Sequence, residues 1–302
     1  MCFLFDSFEG WKTYGQTHDM KLHEVVLDYE MDQKGASESD IWSGLEKAYQ
    51  VMKDAVKTGT TEDMKSRSGM IDNGAKKVAQ SDITVLSPEF KQLIYSALGA
   101  KEVNSCMGRV VAAPTAGASG ILPGVLTTLQ SIHQIEDQKI YEALLIGAGV
   151  ALILEQKASL AGAVGGCQAE TGSAAAMASA GIVHCLGGSV DQIFNAVGIT
   201  LQCMLGLVCD PVAGLVEVPC VVRNASAAAI ANSSAQIALS HVTSVIPVDE
   251  CAEAMGEVGQ SMESRYKETA QGGLAATKTG QALAKKILIQ DIEILPQTPE
   301  GA

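Results

Sequence analysis

The sequence predicts a mainly α fold, a single helical domain whose helices are separated by glycine- and proline-rich loops. Apolar residues recur at steps of three and four along most of the chain, which puts them on one stripe of a helix. No stretch sustains the period-two alternation of a half-buried strand. The 47% apolar content includes only 4% aromatic residues, so the interior is built from Ala, Val, Leu and Ile and suits close helix packing. The 302 residues fit one large domain or two ordinary ones. No repeat of about 20–50 residues suggests an array.

After Ser39, the residues Ile41, Trp42, Leu45, Ala48, Tyr49, Met52, Ala55 and Val56 share one stripe, and Gly59 is expected to end it. Ser87-Pro88 reads as an N-cap followed by proline at the first helical position, with Phe90, Leu93, Ile94 and Ala97 behind it. Further helices are expected near Gln138–Leu154, Gly172–Leu186, Val190–Leu207, Asn224–His241, Asp249–Tyr266 and Thr279–Ile289. The segment after Ile294 is expected to fray. The chain is therefore divided into an N-terminal extension (1–20), a helical domain (21–290) and a flexible tail (291–302).

Charge and hydropathy narrow the function. A formal net charge of −13 argues against nucleic acid or an anionic membrane surface as partner. Mean hydropathy is +0.18. Yet the longest apolar run, Ala143 to Leu154, stops at Glu155-Gln156-Lys157, well short of the roughly 20 residues a spanning helix needs. The start, Met1-Cys2-Phe3-Leu4-Phe5-Asp6, lacks the basic region and long apolar core of a signal peptide. The expected location is the cytoplasm, where eight cysteines serve as thiols, metal ligands or catalysts rather than disulfides.

Charges are unevenly spread. Residues 1–65 carry thirteen acidic and seven basic side chains, whereas the seventy-eight residues from Ala158 to Ala235 carry five charges, Glu170, Asp191, Asp210, Glu217 and Arg223. Such a stretch forms an interior or faces a partner. Four Gly- and Pro-rich breaks are candidates for a site: Ser66-Arg67-Ser68-Gly69, Pro114 through Gly124, Gly165 through Gly172, and Cys209-Asp210-Pro211 through Val218-Pro219-Cys220.

Cys167, Cys209 and Cys220 each sit in such a break. Cys185 and Cys203 lie inside helical stretches and, with Cys106 and Cys251, read as small buried hydrophobes. The trio has the spacing C-x41-C-x10-C, and no short C-x-x-C pair supports a zinc ribbon or a ferredoxin-type run. Spacing alone leaves two readings of the trio open, buried hydrophobes or ligands. Three thiolates can hold a cubane cluster and leave its fourth iron free as a Lewis acid.

Five stretches together resemble the α subunit of the iron–sulfur-dependent bacterial L-serine dehydratases. They are Ser66–Gly69, Met107-Gly108-Arg109-Val110-Val111-Ala112-Ala113-Pro114 through Gly124, Gly165 to Ser173, Leu205-Gly206-Leu207-Val208-Cys209 through Arg223-Asn224, and Gly272-Gly273-Leu274-Ala275-Ala276-Thr277. The resemblance runs from the helix at Leu22 to the helix ending near Ile289. It implies a helical catalytic domain with its loops around a buried cluster site. It also implies a [4Fe–4S] cluster held by Cys167, Cys209 and Cys220, no pyridoxal phosphate, and deamination of L-serine to pyruvate and ammonia in amino-acid catabolism and gluconeogenesis. Single-chain relatives carry an extra upstream domain that residues 1–20 are too short to supply. The two-chain type is therefore expected, a heterodimer or higher hetero-oligomer with a separate β subunit. No cysteine follows Cys251 to act as the tail ligand found in some relatives.

Within that resemblance the substrate carboxylate needs donors. Ser66, Ser68 and the Gly69 amide form one candidate set, Thr115 with the Ala116 and Gly117 amides another, and Arg67 a bidentate clamp. The alternatives are tight turns with satisfied hydroxyls and a solvated surface arginine. No base is nominated; it can come from the β chain. His184 and His241 read as hydrogen-bonded core residues, and His18, His23 and His133 as solvated ones. Asp210 and Glu217 flank the cysteines and either order the loop or move protons.

Three rivals are weighed. The same chemistry could act on L-threonine or L-cysteine, because one methyl discriminates by only about 1–3 kcal/mol. A pyridoxal-phosphate enzyme needs a Schiff-base lysine, and none lies between Ala158 and Ala235. A non-catalytic helical scaffold subunit would use its glycines for packing alone. Pro114–Gly124 lacks the Gly-Lys-Ser/Thr ending of a nucleotide loop.

Overall fold

A computed structural model describes residues 5–294, with side chains through residue 289. The expectations for residues 1–4 and for the segment after Ile294 lie outside the described residues. In chain order the helices are α1 (Phe8–His18), α2 (Leu22–Lys34), α3 (Glu38–Thr61), α4 (Gly74–Gln80), α5 (Pro88–Ser105), α6 (Ile121–His133) and α7 (Asp137–Ala158). They continue with α8 (Gly162–Gly165), α9 (Ser173–Cys185), α10 (Val190–Met204), α11 (Cys220–Leu239), α12 (Val248–Ser261) and α13 (Lys278–Ile294). Among the described residues there is no strand, only isolated bridges between Lys65 and Asp72 and between Cys209 and Lys267. No described helix is long and apolar enough to cross a membrane. The mainly α expectation holds.

Local chemistry sets the boundaries. Ser87 accepts the Phe90 N–H, and Pro88 occupies the first turn of α5, as the sequence suggests. Ser189 and Gln192 form a reciprocal capping box on α10. The third helix is capped two residues before the expected Ser39, because Ser37 and Asp40 form its capping box. Nor does Gly59 end it. A Cβ there would lie 2.0 Å from the Gly99 carbonyl oxygen, so this glycine is the point where α3 crosses α5. At the other end of the chain, α12 stops at Ser261, and Ser264–Tyr266 forms a separate 3-10 turn.

Helix α9 is the axis of the fold. It packs against α6, α7, α10 and α11, and every side chain from Ser173 to Val183 is buried. Its Ala174-Ala175-Ala176 run and Ala178 and Ala180 let neighbouring helices approach closely. Helix α1 joins the same core. Trp11 is fully buried, stacks on Phe5 and packs against Phe194, and donates its Nε1–H to the Leu22 carbonyl. Asp249 of α12 accepts the Phe8 and Glu9 N–H groups at the head of α1.

Candidate functional site

The three loop cysteines arrive from three directions. Gly166 turns the chain with φ +75°, and a Cβ there would sit 2.7 Å from Met262 Sδ and 3.0 Å from the Leu207 oxygen. That turn delivers Cys167 to the foot of a π-helical turn, Gln168–Gly172, which runs directly into α9. Such single π turns recur at functional sites. The Gln168 side chain accepts the Gly206 N–H and donates to the Met255 oxygen, while its backbone N–H reaches the Leu207 oxygen. The Cys167 loop is thereby tied to the segment that leads into Cys209.

Cys209 is clamped by backbone. Its N–H donates to Tyr266 and its carbonyl accepts from Glu268. Cys220 is the first residue of α11, one turn earlier than the helix expected from Asn224. Asn224 explains the early start. It donates to the Cys220 and Gly117 carbonyls and accepts the Gly120 N–H, all at 2.9 Å, which joins α11 to the Pro114–Gly124 loop.

All three thiols are buried. Burial pushes the Cys209 thiol far up, and the neighbouring Cys167 and Cys220 push it further. Cys220 is raised to about 12, by burial and then by Cys167. Hydrogen bonds join the three segments: Arg223, three residues along α11 from Cys220, donates to the Val208 oxygen beside Cys209 and pairs with Asp210, and Gln168, next to Cys167, donates its N–H to the Leu207 oxygen. Cys167 is also raised by burial, against the pull of Thr171, whose hydroxyl lies 2.9 Å from Sγ, and of Arg223. Thr171 and Arg223 are the groups that would support an anionic sulfur. A cation would be needed to hold all three as thiolates.

The two hydroxyl sets meet this region through carboxylates. Ser66 and Ser68 both donate to Glu217 Oε2, at 2.7 and 2.5 Å. Glu217 stands three residues before Cys220. On the other side, Thr115 donates to Glu170 Oε1 at 2.7 Å, and Glu170 stands three residues after Cys167. Burial raises the Glu170 carboxyl against that hydrogen bond. A Cβ at Gly117 would lie 3.0 Å from the same oxygen. Gly69 has φ +76° and donates its N–H to the Ser66 oxygen, so that amide closes a turn. Arg67 and Ala116 are exposed.

Asp210 orders the loop. It pairs with Arg223 at 2.8 Å and accepts the Leu274 N–H at 2.7 Å. Lys101 is a residue that sequence reasoning missed. It is fully buried, donates to Asn104 Oδ1 and to the Val216 oxygen, and so lies beneath the segment carrying Glu217 and Cys220. Burial lowers its pKa to about 8, against the attraction of Cys220, Glu170 and Glu217. Only its place on the buried face of α5, beside Ala97 and Leu98, could have signalled it.

Several expectations are corrected. Cys203 is exposed, on the outer side of the last turn of α10, and not a core residue. His241 is exposed at φ +63°, just past the end of α11. His23 is buried, because the face of α2 that carries it also carries Val26 and Leu27 and packs on α7. His184 is hydrogen-bonded in the interior, to Glu142.

Comparison with known proteins agrees with the resemblance. The family described as the serine dehydratase alpha chain matches residues 17–275. The L-serine dehydratase alpha chain of Peptoniphilus asaccharolyticus is 40% identical over 272 residues, covering 89% of this chain and 93% of that protein. A probable L-serine dehydratase alpha chain of Bacillus subtilis is 41% identical over 269 residues, with coverages of 88% and 89%. The L-serine dehydratase of Streptomyces coelicolor is 36% identical over 261 residues, 83% of this chain and 56% of that protein.

Proposed function

Because this chain belongs to the serine dehydratase alpha chain family, we propose that it is the catalytic chain of an L-serine ammonia-lyase that releases pyruvate and ammonia. We infer further that Cys167, Cys209 and Cys220 hold a [4Fe–4S] cluster. The observation that carries this reading is the convergence of three buried thiols with two hydroxyl-bearing loops, each latched by a carboxylate three residues from one of the cysteines. A donor set of soft thiols suits an iron–sulfur cluster better than a hard cation. When bound, such a cluster with one iron free of protein ligands supplies a Lewis acid that makes the substrate hydroxyl a better leaving group.

The chain's own residues do the rest of the work. Thr171 and Arg223 support the sulfur of Cys167, and Asp210 fixes Arg223 in that position. Ser66, Arg67, Ser68 and Gly69 on one side, with Thr115, Ala116 and Gly117 on the other, are proposed to hold the substrate carboxylate and ammonium. Glu217 and Glu170 keep the serine and threonine hydroxyls oriented until substrate competes for them.

A second chain is proposed to cover this mouth. Val164, Leu205, Val216, Val222 and Leu274 are apolar and substantially exposed; the first four lie within four residues of one of the three cysteines, and Leu274 is the partner of Asp210. A β subunit seated there would bury them and contribute the base that removes the α-proton. The test is anaerobic co-expression of this chain with a β subunit, followed by an assay for pyruvate from L-serine and analysis for iron and acid-labile sulfide. Pyruvate formation with bound iron and sulfide is the expected result. A complex that holds neither after reconstitution and makes no pyruvate would overturn the proposal and favour the scaffold reading.

A further inference from the structure

At the end of α9 remote from Cys167, three ligating side chains converge. His184 of α9, His23 of α2 and Glu142 of α7 each offer one donor atom, and these atoms all lie within 4.8 Å of one another. His184 Nε2 is 2.8 Å from Glu142 Oε2, and His23 Nε2 is 3.8 Å from Glu142 Oε1. The two rings stand edge to face with centroids 5.6 Å apart. His23 is only 6% exposed, yet its Nδ1 has no hydrogen-bond partner. The Nε2 that faces Glu142 is at 3.8 Å beyond hydrogen-bond distance of it, which leaves that nitrogen available to an ion. The helical path from Cys167 to His184 is about 25 Å long at 1.5 Å per residue, so these side chains are no part of the cysteine site.

We propose that His23, Glu142 and His184 form a second metal site, which takes one divalent transition ion of the imidazole-preferring kind, such as zinc, and pins α2 to α7 and α9. Two imidazoles and one carboxylate make a three-ligand set of the type zinc accepts, with water completing the tetrahedron. Burial holds both rings neutral, with the His184 pKa lowered to about 4 and that of His23 below its ordinary value. Neutral imidazole is the ligating form, so no proton competes with the ion near neutral pH. The competitor is Lys139, whose ammonium lies 3.1 Å from Glu142 Oε2. Its side chain is 38% exposed and can turn into solvent when the ion arrives. The three ligands come from three different helices packed in the core, so the ion's role is structural. It would anchor the far end of the helix whose near end carries Cys167.

The test uses the cluster-loaded complex in a Cys203→Ser background, which removes the exposed thiol, washed free of divalent ions and titrated anaerobically with zinc chloride alone. Calorimetry and metal analysis after gel filtration should find one zinc per chain with a Kd of about 10 µM or tighter. Glu142→Gln and His184→Gln should each weaken it at least about tenfold, and Lys139→Met should tighten it by about tenfold as a competing charge is removed. Lys139→Met cannot be mistaken for misfolding, since it predicts a gain. No binding by about 100 µM zinc, binding that survives both ligand substitutions, or an affinity unmoved by Lys139→Met would overturn the proposal.

Discussion

Ser66 Oγ donates to Glu217 Oε2 at 2.7 Å across 151 residues of sequence, and the same hydroxyl accepts the Ile71 N–H. The contact joins the Ser66–Gly69 turn to the loop that ends at Cys220. Ser66→Ala would leave both the buried carboxylate and the Ile71 amide short of a partner, at a cost of about 1–3 kcal/mol. The melting temperature should fall accordingly. If the turn also meets substrate, KM for L-serine should rise by more than kcat falls. A Ser66→Ala enzyme with lowered stability and unchanged KM would confine Ser66 to a structural role.

The cysteines divide by position. Cys167→Ser, Cys209→Ser and Cys220→Ser should each lose bound iron and sulfide and abolish pyruvate formation, because each removes one of the three buried sulfurs proposed as ligands. Cys203→Ala, at an exposed position, and Cys185→Ala, at a half-buried one, should keep colour and most activity. Loss of the cluster in Cys185→Ala alone would show that the ligands are misassigned.

The helical class and most of α5, α7, α9 and α10 were legible because caps and apolar spacing are local signals. Ser87-Pro88 and the Ser189–Gln192 box need no tertiary partner to be recognised. The candidate loops were legible through their glycines and prolines. What sequence could not reveal was pairing across the fold. Nothing local links Thr115 to Glu170 or Ser68 to Glu217, and Lys101 looks like any solvated lysine until the 216–220 segment closes over it. Histidines misled for the same reason. His23 has polar neighbours in sequence but lies under α7, while His241 follows an apolar helix yet sits outside its end.

Gly273 is a conformational requirement of the site. It has φ +57°, and a Cβ there would lie 2.3 Å from Asp210 Oδ2, the oxygen that accepts the Leu274 N–H. Gly273→Ala is both strained and overcrowded, so Asp210 must shift and carry Arg223 with it. Activity should fall about tenfold or more, with iron retained but lost faster in air. Iron content and its half-life under oxygen check this, and a fully active, equally air-stable variant would refute it.

Lys101→Met keeps length and apolar contacts but deletes the donor to the Val216 oxygen and Asn104. Leaving those acceptors unmatched costs about 1–3 kcal/mol, partly offset because a buried ammonium is no longer desolvated. The loop bearing Glu217 and Cys220 should loosen. The expected result is a modest change in melting temperature with a fall in kcat/KM of at least about tenfold. Hydrogen exchange over residues 210–220 distinguishes loop loosening, which should speed exchange there, from global destabilisation, which should speed it everywhere.

His184 ties stability to pH. Its folded pKa is lowered to about 4 from an ordinary 6.5, chiefly by burial, against the hydrogen bond that it donates to Glu142 and with Lys139 and His23 adding to the decrease. A depressed folded pKa means that the unfolded chain binds the proton first as pH falls, so stability present above about 6.5 drains away between 6.5 and 4. A shift of that size corresponds to about 3 kcal/mol. Glu142 acts in the same direction: burial alone would raise it, but His184 and Lys139 hold it below its ordinary range, and that contribution is lost as pH falls further. His23 is also lowered by burial and adds to the loss. His184→Gln removes the largest part, so in metal-free buffer its denaturation midpoint should fall less steeply than that of the parent chain between pH 6.5 and 4. Parallel slopes for the two proteins would show that His184 is not held neutral by its surroundings.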